Sequence, residues 1–309
     1  MTTSTRQLLG HIGPLKAAYH AVRGRVTVWL ARTSPRLLSR LRYREAWGRW
    51  PDLDKPVTFD EKLLWLNLYW QHPLKVECGD KYSMRAYVER LGLSSLLPRA
   101  YGVFDSAEAI DFGKLPNRFV LKCTHGAKCN VFCPDRGMLD IAQARRDLCR
   151  WLATDYSRIY GEAHYGRMTP RILCEEFLDD GTGFLPTDYK VYCFNGRPCY
   201  VLCCFDRVPN GKASLAVADL EWNPVVFYRD DPPGGRPMPR PEALQDILDA
   251  SRKLSGPFPF VRIDFYSIRG RAVLGEMTFT PDACIDPTYT DEIQREMGER
   301  LVLPPPLVW

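Results

Sequence analysis

The strongest constraint on this chain is the unit from Phe258 to Phe279, in which two runs of alternating apolar and polar residues flank Arg269-Gly270. Such alternation on both sides of a short turn signal predicts a β-hairpin. Asp264 lies six residues before Gly270 and Glu276 six after it, so folding at the glycine sets the two carboxylates across from each other. The period of two then puts Arg262 on the Asp264 face and Thr278 on the Glu276 face. Two facing carboxylates repel by about 1 kcal/mol or more at partial burial. A hard divalent cation removes that cost, and Mg²⁺ held by one or two carboxylates plus nucleotide phosphates is the usual arrangement. The bland alternative is two acids on the solvated side of a surface hairpin.

The rest of the chain mixes helices and strands without regular βα alternation, which predicts an α+β layered fold rather than a barrel. Thr58-Phe59-Asp60-Glu61 is a capping-box start for a helix reaching about Gln71. A second helix is expected from Asp80 to Gly92, and a third, capped by Asp140, to about Thr154. Phe119 to Cys123 reads as a buried strand, with strand-like runs following at 171–178, 187–194, 199–205 and 213–218. Residues 229–241 hold five prolines and two glycines and read as loop, whereas 241–254 read as helix.

Composition narrows the function classes. With 45% hydrophobic and 26% charged residues the chain is neither disordered nor fibrous. No run approaches the roughly 20 apolar residues of a membrane span, and no apolar segment of secretory type follows the basic N-terminus. The net charge of +5 is uneven: residues 1–50 carry ten Lys/Arg against the single acid Glu45, leaving the remainder slightly acidic. A globally basic nucleic-acid binder is therefore not expected. Arginines interleaved with Leu, Val and Trp29 allow two readings of this arm. It is either an amphipathic helix lying on an anionic membrane surface, or a helical lobe whose arginines are solvated or paired. Eleven cysteines without a secretory signal argue for a reducing cytoplasm rather than a disulfide scaffold.

Several segments could carry chemistry. Lys122 ends an apolar strand and leads into Thr124-His125-Gly126-Ala127-Lys128, a small-residue turn with cations at both ends that suits a phosphate chain. The turn lacks the spacing of a Walker loop or a dinucleotide fingerprint, and a lysine ending a strand is the plain reading. Cys123, His125, Cys129 and Cys133 do not match a common zinc spacing and are read as packing residues. Glu175-Glu176-Phe177-Leu178 closes another apolar strand, either as a solvated exit or as a place where a carboxylate meets a ribose hydroxyl and the backbone reads an adenine edge. Alternation places Asp188, Lys190 and Tyr192 on one face of a further strand.

Taken in order, Thr58-Phe-Asp-Glu-Lys-Leu, Asp80-Lys-Tyr, Phe119-Val-Leu-Lys-Cys-Thr-His-Gly, Asp188-Tyr-Lys-Val-Tyr, and Arg262-Ile-Asp-Phe-Tyr through Gly275-Glu-Met-Thr-Phe-Thr-Pro resemble the ATP-grasp superfamily. More closely, the stretch from Phe59 to Pro281 is similar to ATP-grasp proteins of teichuronopeptide-biosynthesis type. The resemblance implies a nucleotide held between two α+β lobes. Residues 1–56 would be a basic helical extension, 57–118 a helical region before the grasp, 119–180 the small lobe and 181–309 the large lobe with the hairpin. By the same resemblance Lys81 and Lys122 contact the ATP phosphates, with His125 and Lys128 on the loop over them. Glu175, Glu176, Phe177 and Leu178 form the adenine hinge, and Asp188 and Lys190 lie near the transferred phosphate. Asp264, Glu276 and Thr278 hold Mg²⁺, usually two ions, and Arg262 faces the reacting acyl phosphate. The family usually has Asn where this chain has Thr278.

The resemblance thus implies a cytoplasmic ATP-dependent carboxylate–amine ligase that releases ADP and phosphate. Its expected setting is the making of a cell-surface polymer or a peptide-like metabolite from small carboxylate and amine substrates, with a homodimer as the common assembly. A phosphotransferase acting on a sugar or alcohol and a non-catalytic nucleotide-binding module are the competing readings.

Overall fold

The computed structural model describes residues 22–181, 185–207 and 213–308. Residues 1–21 of the basic arm lie outside the described residues. Its remainder forms two helices, α1 (residues 22–33) and α2 (Pro35–Trp47), with Leu30 and Leu38 buried.

The capping-box helix forms as α3 (Phe59–Tyr69), where the Glu61 carboxylate accepts from the backbone N–H of Thr58 at 3.1 Å. The helix expected from Asp80 starts later. Asp80 Oδ1 accepts from the N–H groups of Tyr82 and Ser83, which holds a turn, and α5 runs only over Met84–Arg90 after the short α4 (Pro73–Gly79). A four-stranded antiparallel sheet has the order β1-β4-β2-β3, built from β1 (Ala100–Phe104), β2 (Phe119–Cys123), β3 (Asn130–Cys133) and β4 (Ile172–Glu176). Its edge strand β1 comes from the stretch before Phe119, so the small sheet begins earlier than the segment 119–180. Phe119, Leu121, Cys123, Ile172 and Cys174 point from it into a core shared with Leu148 of α6 (Ile141–Leu152). Alternation leaves Val120, Lys122, Leu173 and Glu175 on the opposite face. The helix α7 (Ser157–Tyr160) precedes β4.

The second sheet has six antiparallel strands in the order β10-β9-β5-β6-β7-β8. These are β5 (Asp188–Phe194), β6 (Arg197–Phe205), β7 (Ser214–Ala218), β8 (Pro224–Val225), β9 (Phe260–Ile268) and β10 (Arg271–Thr278). Tyr189, Val191, Ile263, Phe265 and Met277 join one core with α3, α5, α8 (Leu244–Ser255) and α9 (Asp291–Arg300). The helices before the small sheet therefore belong structurally with the large one.

The hairpin turns at Arg269 and Gly270, both with positive φ, +52° and +74°, the two-residue geometry whose twist matches its strands. That turn pairs Ile268 with Arg271 and Phe265 with Leu274. An unbroken ladder would set Asp264 against Gly275. A bulge between Leu274 and Glu276 shifts the register by one residue, so Asp264 pairs with Glu276 and Arg262 with Thr278. Only glycine fits comfortably at the bulge, since a Cβ on Gly275 would lie 3.2 Å from the Asp264 carbonyl oxygen and 3.1 Å from the Tyr266 ring.

Candidate functional site

Three strands of the large sheet carry one charged row. Lys190 on β5 lies directly across from Asp264 on β9, which lies directly across from Glu276 on β10. Lys190 Nζ is 2.5 Å from Asp188 Oδ2 and 2.5 Å from Asp264 Oδ2. The Arg262 guanidinium holds Asp264 with Nε and Nη2 at 2.8 and 2.9 Å and lies 3.8 Å from Glu276. Lys81, presented by the turn that Asp80 fixes, donates to the Gly126 carbonyl at 2.7 Å and sits 3.3 Å from Glu276. It thereby ties the loop after β2 to the hairpin. Arg207, leaving β6, donates to the Pro186 carbonyl and reaches Asp188 at 3.9 Å. On the small sheet Lys122 Nζ and Arg85 Nη1 clasp the Glu175 carboxylate at 2.7 and 3.0 Å.

Among the described residues these form two ion-pair networks, and each contains one more cation than acid. The surplus is four cations to three acids on the large sheet and two to one on the small sheet. Surplus cations of low exposure have the chemistry to accept a polyanion.

The protonation states support that use. Burial alone would discharge Lys190, but Asp188 and Asp264 outweigh it and raise its pKa, so it stays a cation. Burial likewise opposes the Glu276 carboxylate, yet Lys81, Lys190 and Arg262 hold it down to about 2. A third of that side chain is exposed, enough to admit a further ligand.

The donor set also fits a hard divalent cation. Asp264 and Glu276 are directly paired acids, and Thr278 Oγ1 lies 3.5 Å from Glu276 Oε1. Among the described residues no group of three or more His, Cys, Asp or Glu forms a metal cage. Two paired carboxylates and a hydroxyl suit Mg²⁺, which takes few protein ligands and fills its shell with phosphate and water.

A family match decides what this cleft belongs to: the TupA-like ATP-grasp family matches residues 61–302. The chain is a TupA-like ATP-grasp protein. Its helices and two antiparallel sheets are the mixed α+β make-up of that fold. No curated protein matches the chain in sequence. Among solved structures it is similar to a D-alanine–D-alanine ligase from Bacillus anthracis complexed with ATP, at 12% identity and a TM-score of 0.43, covering 72% of this chain and 67% of that one. It is similar to the D-cycloserine synthetase DcsG at 14% identity and a TM-score of 0.42, covering 74% and 71%. A third is the ATP-grasp ligase PsnB complexed with a minimal precursor, at 14% identity and a TM-score of 0.40, covering 74% and 62%. At scores below 0.5, membership rests on the family match alone.

In this ATP-grasp chain the structure brings together Lys81, Lys122, Glu175, Asp188, Lys190, Arg262, Asp264, Glu276 and Thr278 from the residues singled out in the sequence. Others stand apart. Lys128 is exposed on the loop with φ +61°. His125 is buried edge-on against Tyr156, and burial lowers its pKa, so it is a neutral ring at pH 7. Glu176 accepts from the Arg99 N–H and lies 3.8 Å from Arg271 at the strand end, while the Phe177 ring sits under the Arg118 guanidinium. Leu178 follows in the irregular stretch after β4. Because Glu175 is committed to two cations, Glu176 is the member of the pair with a free edge.

Sequence reasoning missed Arg85 and Arg207. Arg85 had no periodic signal, since Lys81 lies in the turn before α5 and the two pair with different acids. Arg207 had none; only the pairing of Asp188 with Cys204 carries the exit of β6 to Asp188.

Proposed function

We propose that this protein is an ADP-forming carboxylate–amine ligase. The observation that carries the reading is the row Lys190–Asp264–Glu276 with Arg262 beside it, set opposite Lys122. Surplus cations there suit a triphosphate, and paired acids suit its metal.

A carboxylate does not yield its oxygen to an amine at useful rates. The reading therefore has the substrate carboxylate oxygen attack the γ-phosphorus of ATP, breaking the bond to ADP and giving an acyl phosphate. The amine nitrogen then attacks the acyl carbon, phosphate leaves, and the nitrogen loses a proton to give the amide. Lys81 and Lys122 neutralise the phosphate chain from opposite lobes. Lys190 and Arg262, released from Asp264 as its charge is taken up elsewhere, stabilise the moving phosphoryl group and the oxyanion of the second step. Asp264 and Glu276, with Thr278, would hold Mg²⁺, which when bound offsets the crowded phosphate charge. The ATP requirement supports a cytoplasmic setting. The two-step chemistry suits cell-surface polymer or peptide-like metabolite synthesis from small acids and amines.

Hydroxylamine trapping tests this. With ATP, Mg²⁺ and a panel of carboxylic acids, a hydroxamate should accumulate in step with ADP. Release of AMP and pyrophosphate would overturn the acyl-phosphate route. A stable phosphorylated alcohol or sugar without hydroxamate would favour a phosphotransferase.

A further inference from the structure

The described part of the basic arm gives no side chain to either ion-pair network, yet its surface is unusual for a solvated helical lobe. Val22, Val26 and Trp29 follow one another at spacings of four and three on α1, one stripe of the helix. All three are exposed, Val22 and Trp29 at 61%. Leu37 and Leu41 repeat the pattern on α2, and the exposed Tyr160 lies against Arg42 of that helix, its ring 4.9 Å from the guanidinium. Among the described residues, seven of the nineteen exposed large apolar side chains fall between residues 22 and 50.

The same stretch holds eight arginines and one acid. Some arginines are already engaged: Arg23 with Glu45, Arg36 with Asp54, and Arg42 with the carbonyls of Tyr160 and Ala283. Arg25 and Arg32, which flank the apolar stripe, are exposed and make no ion pair among the described residues.

We propose that α1 and α2 dock this protein on an anionic lipid surface. Val22, Val26 and Trp29 would enter the headgroup boundary, with Arg25 and Arg32 against the lipid charge. Charge complementarity selects this occupant. A nucleic acid would gain nothing from exposed valine and leucine, whereas a bilayer interface rewards apolar side chains, tryptophan and arginine together. The mildly acidic remainder of the chain is repelled by the same surface, which turns the arm towards the lipid and the body away from it. Arg42 ties α2 to the turn after the hairpin through the Ala283 carbonyl at 3.3 Å. This inference does not depend on the ligase reading.

Vesicle sedimentation of the full chain tests it. The protein should pellet with phosphatidylcholine vesicles containing phosphatidylglycerol, not with phosphatidylcholine alone, and less so as salt rises. Arg25→Gln and Arg32→Gln should each lower the partition about fivefold. Trp29→Glu should abolish it with thermal stability unchanged, while Arg295→Gln, on α9, leaves it intact. Equal pelleting of Trp29→Glu and the parent would overturn the proposal, as would no pelleting at all. So would a dimer in sedimentation velocity that Trp29→Glu dissolves, which would make a second copy the occupant.

Discussion

The two ion-pair networks of the cleft use similar residues in different ways. On the small sheet one acid, Glu175, is buried and clasped by Lys122 and Arg85, with Arg85 fixed further by the Pro98 carbonyl. On the large sheet three acids share four cations, Arg262 holds Asp264 in bidentate fashion, and Glu276 keeps an exposed edge. The first is a clamp that aims a lysine. The second is a set of charges shared among several partners, and in the proposed reaction Lys190 and Arg262 would turn from Asp264 to phosphate. Taking one partner from a buried pair costs far more than the pair itself contributes, so the two networks should fail differently when an acid is neutralised.

The largest failure is expected at Asp264. Asp264→Asn leaves Lys190 and Arg262 buried with one carboxylate fewer and removes a proposed metal donor. Hydroxamate formation should fall about 10³-fold, and the ligand-free protein should lose about 3 kcal/mol in denaturant melts. Added ATP should stabilise the variant, because a triphosphate supplies the missing negative charge. A variant that melts like the parent and retains more than a tenth of its turnover would break the distinction.

Glu175→Gln should do less and do it differently. The amide oxygen still accepts from Arg85 or Lys122, so the stability loss is about 2 kcal/mol. Lys122 loses its fixed direction rather than its charge. The KM for ATP should rise about tenfold while kcat changes little. An equal fall in kcat and kcat/KM would instead place Glu175 in the transition state and merge the two networks.

The two networks also differ in how far the amino-acid sequence discloses them. The strands of the site were legible because each alternates or runs apolar between turn signals. The pairing of Asp264 with Glu276 was legible too, but for an incomplete reason. Equal counting from Gly270 gives the right pair only because the bulge at Gly275 compensates for a two-residue turn, and a bulge leaves no periodic trace. The clamp was less legible. One glutamate of the Glu175–Glu176 pair read as a ribose ligand, and only the β2–β4 register turns the Glu175 side chain to the face of Lys122. Arg207 was invisible, since long-range register brings it to Asp188. The late start of α5 has a local cause, the Asx turn at Asp80, which competes with the helix for the same N–H groups.

Behind the large-sheet network lies a buried charge that neither network uses. Lys75 on α4 is 2% exposed, and its Nζ has no hydrogen-bond partner among the described residues. Burial lowers its pKa to about 8, against weak opposition from Cys284 and Glu162. Between pH 8 and the ordinary lysine value the unfolded chain binds more protons than the folded one, so the protein should gain stability as pH rises through that window. Below pH 8 the full cost is present, about 3 kcal/mol from the size of the shift. Lys75→Met should therefore stabilise the protein at pH 7 by up to that amount, with the advantage shrinking towards zero by about pH 10. Turnover should stay within about twofold, since Glu162 keeps its 2.5 Å hydrogen bond from Thr280 and the attraction of Arg42. Denaturant melts of parent and variant across that pH range read the effect directly. A variant less stable at pH 7, or an advantage that does not change with pH, would mean that Lys75 is paired in solution and belongs to the charge system of the hairpin.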